Sequence, residues 1–186
     1  EEFFDNMCLS YGMQPHDLCE RCDGCGACFS VEHGLSCKKG GLVGIRHHDA
    51  RDEAGALAAM ALTTTKVSYE PTIFYGRGFS ASQPIAATTR TSNVAGDEAQ
   101  GDVLVHGLFG KGSGDCVLDI RITDTDSKSY HNISSAKVLE RAAKVKKDKY
   151  LVPCLERRRS FMPLVYSVDG MACKEDKAFE KRVASL

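Results

Sequence analysis

The chain has no run of some 18 consecutive apolar residues, so no segment is patterned as a transmembrane helix. Its first residues, Glu1-Glu2-Phe3-Phe4-Asp5, lack a start Met, a basic stretch and an apolar stretch behind it. That pattern is not a secretory signal peptide, and the missing Met leads us to expect a fragment of a longer chain. Net charge is missing too: 24 Lys and Arg against 25 Asp and Glu leave −1. A global electrostatic argument for nucleic acid therefore fails, and the distribution of charge has to carry one. With 42% hydrophobic and 26% charged residues, collagen-like and wholly disordered classes are excluded. The 186 residues amount to one domain with room for a small module.

Cysteine is abundant instead. Of nine, five (Cys19, Cys22, Cys25, Cys28 and Cys37) fall between residues 19 and 37. Without a secretory signal, clustered thiols point to metal rather than to a disulfide framework. Cys8, Cys116, Cys154 and Cys173 are scattered among apolar neighbours and read as buried free thiols.

The hydrophobic pattern divides the chain into a helical remnant at 1–18, a cysteine-rich knot at 19–40 and an α/β region at 41–186. In the last, a helix is expected over 42–62, with Ala50, Ala54, Leu57, Ala58 and Ala61 on its small-residue face. One or two short strands follow in 66–75. Residues 76–101, rich in Gly, Ser, Thr and Ala, read as an insertion. Val103–Phe109 and Cys116–Thr123 read as strands joined by GKGSGD. A helix over 134–150 with a Val138, Ala142 and Val145 stripe comes next. A strand over Met162–Val168 and a C-terminal helix complete a small mixed sheet flanked by helices.

Within the knot, Cys22-x2-Cys25-x7-His33-x3-Cys37 has the strongest spacing. The x2 gap brings two thiolates to one ion from a tight turn. His33 and Cys37, four apart, can face the same way from one helical turn. Three thiolates and one imidazole suit tetrahedral Zn²⁺ with no open position, a structural site whose filling is part of folding. Cys19 and Cys28 stand outside this set, although Cys19-x2-Cys22 also has ligand spacing.

Asp102 precedes one strand of the hairpin, and Asp119 lies mid-strand in its partner. A carboxylate among Val, Leu and Ile is costly unless paired or metal-bound. Two on neighbouring strands can converge on one Mg²⁺, which takes hard oxygen ligands and keeps several waters. Such a site activates water against a phosphodiester. The bland alternative is a turn Asp102 and an Asp119–Arg121 ion pair. Between Lys137 and Arg159 stand nine Lys/Arg and three Asp/Glu, a local +6 that leaves −7 elsewhere. Lys144, Lys146 and Lys149 in this stretch are candidates for nucleic-acid contact.

The segments CDGCGACFSVEHGLSCKKGG, RHHDARDE, GDVLVHGL, CVLDIRITD and KKDKY occur in that order. The order resembles the C-terminal part of non-LTR retrotransposon polyproteins, where a CCHC zinc motif precedes a restriction-like endonuclease of the PD-(D/E)xK type. The resemblance implies a restriction-endonuclease-like core behind the knuckle. Its PD motif falls on Gly101-Asp102, the second acid on Asp119 and a Lys-x-x-Tyr element on Lys147 and Tyr150, as catalytic groups. An Arg-His-Asn helix falls on Arg46, His47 and His48, and a Glu-Pro pair on Glu70-Pro71. Gly101 replaces the proline, a substitution expected to alter only backbone stiffness. Arg121 holds the D-x-K position, where a permanently charged guanidinium can steady phosphate but not accept a proton. The charged lysine role then passes to Lys147, Lys149 or Lys144. The resemblance further implies nicking of target DNA to prime reverse transcription, element RNA and a reverse transcriptase domain as partners, and a nuclear location.

Two other readings compete. A catalytically inactive nucleic-acid-binding module would keep the fold and lose the chemistry. A zinc-containing interaction domain would bind no nucleic acid. A phosphate-binding loop is set aside because Gly112 follows Lys111 where Ser or Thr should stand.

Overall fold

The computed structural model describes residues 4–5, 7–8, 11, 13–39, 42–62, 67–74, 99–110 and 114–186. Residues 1–3, 6, 9–10 and 12 of the expected N-terminal helix, most of the 76–101 segment and 111–113 of the hairpin connection lie outside these, and of the described N-terminal residues only 4–5 and 7–8 are helical. The elements run α1 (Val31–Ser36), α2 (Leu42–Ala61), β1 (Val67–Tyr69), β2 (Thr72–Phe74), β3 (Ala99–Gln100), β4 (Val103–Val105), β5 (Cys116–Thr123), a 3₁₀ turn (Lys128–Tyr130), α3 (Ser135–Glu156), β6 (Ser160–Ser167) and α4 (Lys174–Ala184). The result is a mixed α/β fold.

Its main sheet has the order β1-β4-β5-β6. The first two junctions are antiparallel, and β5 and β6 are parallel along their full length. A parallel pair needs a long crossover, and α3 supplies it. A separate antiparallel ribbon joins β2 to β3.

Alternation along β5 sorts the core into two layers. Cys116, Leu118 and Ile120 pack with Val103, Val105 and Leu164 against Ala54 and Ala58 of α2 and Phe179 of α4. On the other face, Val117 joins Leu104, Phe161, Tyr150 and Cys154, the last two from α3. Val165 lies with Leu139, Ala142 and Ala143, also from α3. The sheet is therefore covered on both faces. Cys8, Cys116, Cys154 and Cys173 are buried and free, as their apolar neighbours suggested.

Several local expectations are corrected. Strand β4 ends at Val105, because Gly107 and Gly110 take positive φ (73° and 119°) and turn the chain there. Helix α3 continues past residue 150 to Glu156 with Pro153 inside its last turns. Its buried side runs Val138, Leu139, Ala142, Ala143, Tyr150 and Cys154, whereas Val145 is 59% exposed. In α2 the packed face is Ala54, Gly55 and Ala58, and Leu57, one residue round the helix from Ala58, is exposed. Gly55 is needed there, since a Cβ would meet the Tyr69 hydroxyl at 2.6 Å.

The outer edge of β6 is closed by its own chain. Asp176 accepts from the N–H of Val165 (3.0 Å) and of Cys173 (2.9 Å), which fastens α4 to the strand. Among the described residues, no helix is long and apolar enough to cross a membrane.

Candidate functional site: a cysteine-histidine knuckle and a facing acidic pair

Cys22 and Cys25 lie on a tight reversal. Cys22 donates its N–H to Ala27 (2.8 Å) and accepts from Gly26 (2.7 Å), while Arg21 and Cys28 form a single antiparallel bridge. Gly26 makes the turn at φ +71° with open space where a Cβ would stand. His33 and Cys37 come from α1 and its C-terminal cap, and Ser30 caps the start by accepting from His33 N–H (3.1 Å).

The ligand atoms of Cys22, Cys25, His33 and Cys37 all lie within 4.8 Å of one another. The Cys22 and Cys37 sulfurs are 3.7 Å apart, against an edge of about 3.8 Å for a tetrahedron with ordinary Zn–S bonds. Cys25 Sγ and His33 Nε2 approach to 3.2 Å. The backbone N–H of Cys25, then the His33 side chain, lower the Cys22 thiol pKa, which favours the thiolate a metal needs. The N–H of Ala27 acts the same way on Cys25, but desolvation and the neighbouring thiols outweigh it and its pKa rises. These four residues could hold zinc. Cys19 and Cys28 are exposed and stand outside the group. Among the described residues, this is the one set of three or more Cys, His or acidic side chains so gathered.

The second centre lies just before the start of β4, where β5 runs on past it. Val103 pairs with Leu118, and Asp102 N–H donates to Leu118 O at 3.1 Å. One step along that antiparallel ladder sets Asp102 opposite Asp119. With no β4 residue to receive it, Ile120 N–H donates to Asp102 Oδ2 at 2.5 Å. His47 Nε2, from α2, stands 3.3 Å from the same oxygen. The Asp102 contact is the first cause of a raised His47 pKa.

Asp119 is 4% exposed. Lys146 Nζ, from α3, sits 2.7 Å from its Oδ2. The contact is ionic, for this buried oxygen has no hydrogen bond of good geometry. Desolvation raises the Asp119 pKa, Lys146 opposes that, and the like charge of Asp102 adds to it. The two acids thus feel each other, each beside a basic group from a different helix, His47 of α2 for Asp102 and Lys146 of α3 for Asp119. Beside them is a cavity of about 320 Å³ lined by Val43, His47, Ile120, Arg121, Ile122 and Lys146.

Lys147 is turned away from the acids and pairs with Glu175 Oε1 at 2.5 Å, because one step round a helix is about 100°. Lys146 holds the place next to Asp119 instead. Tyr150 is buried with its ring 5.7 Å from that of Phe161, and Lys149 Nζ lies 4.7 Å over it. Lys144 is exposed on the outer side of α3, with Arg141 and Lys147 around a groove beside α4. Arg121 Nε donates to Thr123 Oγ1 at 3.3 Å, so no Asp119–Arg121 pair forms the structural alternative. His48 is exposed, its ring 5.8 Å from that of His47. Glu70 meets Arg51 at 3.2 Å on a backbone with φ 52°.

Gly101 corrects the expectation of a change in stiffness alone. It is buried and donates its N–H to Pro71 O at 2.9 Å, a bond proline cannot make. A Cβ there would lie 2.4 Å from Val117 Cγ1. Sequence reasoning had no signal for this contact, and it reached His47 only through the resemblance. The chain matches no model of a known protein family and no curated protein.

Proposed function

We propose that the chain is a Mg²⁺-dependent endonuclease module of restriction-endonuclease-like design that nicks DNA, pinned at its N-terminal side by a zinc knuckle. The observation that supports this reading is the facing pair Asp102 and Asp119, one carboxylate buried with an oxygen short of a hydrogen bond, at a cavity bordered by Lys146, Arg121 and His47. A buried carboxylate held by an ion pair to Lys146 and a second acid beside it are hard donors of the kind Mg²⁺ takes, and Mg²⁺ needs only one or two carboxylates.

When bound, Mg²⁺ supplies Lewis acidity and a more acidic water. Asp102 and Asp119 would hold it. Asp102 is oriented by the Ile120 amide, which fixes one oxygen and leaves Oδ1 to a ligand. Lys146 neutralises Asp119 and lines the cavity, so its ammonium would also serve a backbone phosphate lying there. Arg121 lines the same cavity and adds a permanent charge for the phosphate. The basic surface of α3, with Lys144, Lys149 and Arg141, gives the duplex a salt-sensitive footing. Cleavage for target-primed reverse transcription, element RNA, a neighbouring polymerase domain and nuclear residence extend this proposal by resemblance.

A second reading has one observation in its favour. Asp102 plugs an open strand edge and Asp119 is neutralised by Lys146, arrangements that also suit an inactive nucleic-acid-binding module. Nicking of supercoiled plasmid in Mg²⁺ separates the two. The nuclease reading expects nicked circles with the parent chain and none with EDTA. Salt-sensitive DNA binding without any cleavage in Mg²⁺ or Mn²⁺ would favour the inactive module.

A further inference from the structure

The N-terminal turns of α2 touch both centres with consecutive side chains. Arg46 donates from its guanidinium to Leu35 O at 2.8 Å, and Leu35 lies between the knuckle residues His33 and Cys37. Its neighbour His47 reaches Asp102 Oδ2 at 3.3 Å. One residue step, about 100° round a helix, is what lets one side chain face the knuckle and the next the sheet edge.

The joint is packed as well as bonded. A Cβ on Gly34 would lie 3.0 Å from Phe29 Cζ and 3.9 Å from Leu42 Cδ1, so the knuckle helix and the first residue of α2 are in close contact. Arg46 also keeps a buried Nε without a hydrogen bond, a cost that a loose surface contact would not carry. Only a short stretch, residues 38–41, separates Cys37 from α2. Whatever orders the knuckle therefore orders the turn that presents His47.

We propose that Arg46 is a positioning residue: by clamping α2 to the metal-ordered knuckle it sets His47 against Asp102, so that filling the knuckle fixes the geometry of the aspartate pair. The inference rests on the nuclease reading for its consequence in catalysis, but not for the mechanical link itself. Ordering of the four-ligand cluster by Zn²⁺ holds α1 together, Leu35 O holds Arg46, and α2 as a rigid rod carries that constraint to His47. The Asp102 carboxylate is then fixed from two sides, by His47 and by the Ile120 amide. A displacement of about 1 Å in such a group is enough to cost on the order of 100-fold in rate.

The test uses the full chain, with the Ile120 amide and the His47 ring signals followed by NMR. Adding Zn²⁺ to metal-free chain is expected to shift both signals in step with filling of the knuckle. Arg46→Met in zinc-loaded chain is expected to move them part of the way back with zinc content unchanged, and Arg46→Lys to move them less. In nicking assays Arg46→Met should lower kcat at least about 10-fold with KM for DNA unchanged. If the signals ignore both zinc and Arg46→Met, the link is overturned even if the parent chain cleaves. If they respond but no chain cleaves DNA, the link stands and the nuclease reading falls. Should Arg46→Met fail to fold, the zinc titration of the unaltered chain decides the matter.

Discussion

Two single positions decide more than their size suggests. At Gly101 a methyl group would press on Val117 Cγ1 at 2.4 Å, and a valine inside a filled layer has little room to move. Gly101→Ala should therefore destabilise the chain by about 1–3 kcal/mol. Urea unfolding would check this as a lower midpoint at unchanged slope, and an unaltered midpoint would contradict the packing. Asp176, fully buried, has its carboxyl pushed up to about 6, chiefly by burial, against the hydrogen bonds from Cys173 and Val165 that favour the charged form. The native state then holds this proton more tightly than the unfolded chain, where the carboxyl has an ordinary value near 4. Its contribution to stability is fullest below pH 4 and is lost as pH rises to about 6, by roughly 3 kcal/mol. Asp176→Asn cannot titrate, so the stability difference between parent and variant should slope through that window and be flat above it. A difference independent of pH would contradict a raised Asp176 pKa in the native state.

Secondary-structure elements were readable where their period was strong, and blurred where burial depended on partners. The alternation Leu118-Asp119-Ile120-Arg121-Ile122 marks β5 because a strand with two covered faces must sort its side chains. Cys22, Cys25, His33 and Cys37 were legible because ligand chemistry constrains both type and spacing. Val145 and Leu57 satisfy a helical period equally well and are exposed, because the period gives a stripe but not its width. The choice of Lys146 over Lys147 beside Asp119 depends on the rotation of α3 over β5, a tertiary quantity. The extension of α3 through Pro153 was missed because a proline in a helix usually ends it, and here the last turn is held by packing of Cys154. The knuckle is expected to behave as its own element: chelation should disorder 19–40 and leave the sheet folded. Hydrogen exchange at the Val117 and Leu164 amides would test this, with exchange of the whole chain on chelation as the contrary result.

Across the whole molecule the charge is polarised, +6 between Lys137 and Arg159 against −7 elsewhere, and the sheet places that basic helix over the face bearing Asp119. Not all of it is available to a polyanion. Lys147 is committed to Glu175, and Arg159 is held on the Thr72 carbonyl. The exposed Lys137, Arg141, Lys144, Lys149 and Arg158 remain, and Arg141, Lys144 and Lys149 of α3 are the surface we expect DNA to meet. Replacing Lys144 and Arg141 together by Gln should reduce the slope of log K against log salt by about one to two, with similar loss on any sequence. An unchanged slope would move the interface elsewhere. Whether Asp102 and Asp119 share one divalent cation is decided by titrating Mg²⁺ into zinc-loaded chain and following backbone amides by NMR. Saturable shifts confined to residues around Asp102, Asp119 and Ile120, abolished when both acids are changed to Asn, are the predicted result. Shifts spread over the acidic surface, or unaffected by the double change, would contradict it.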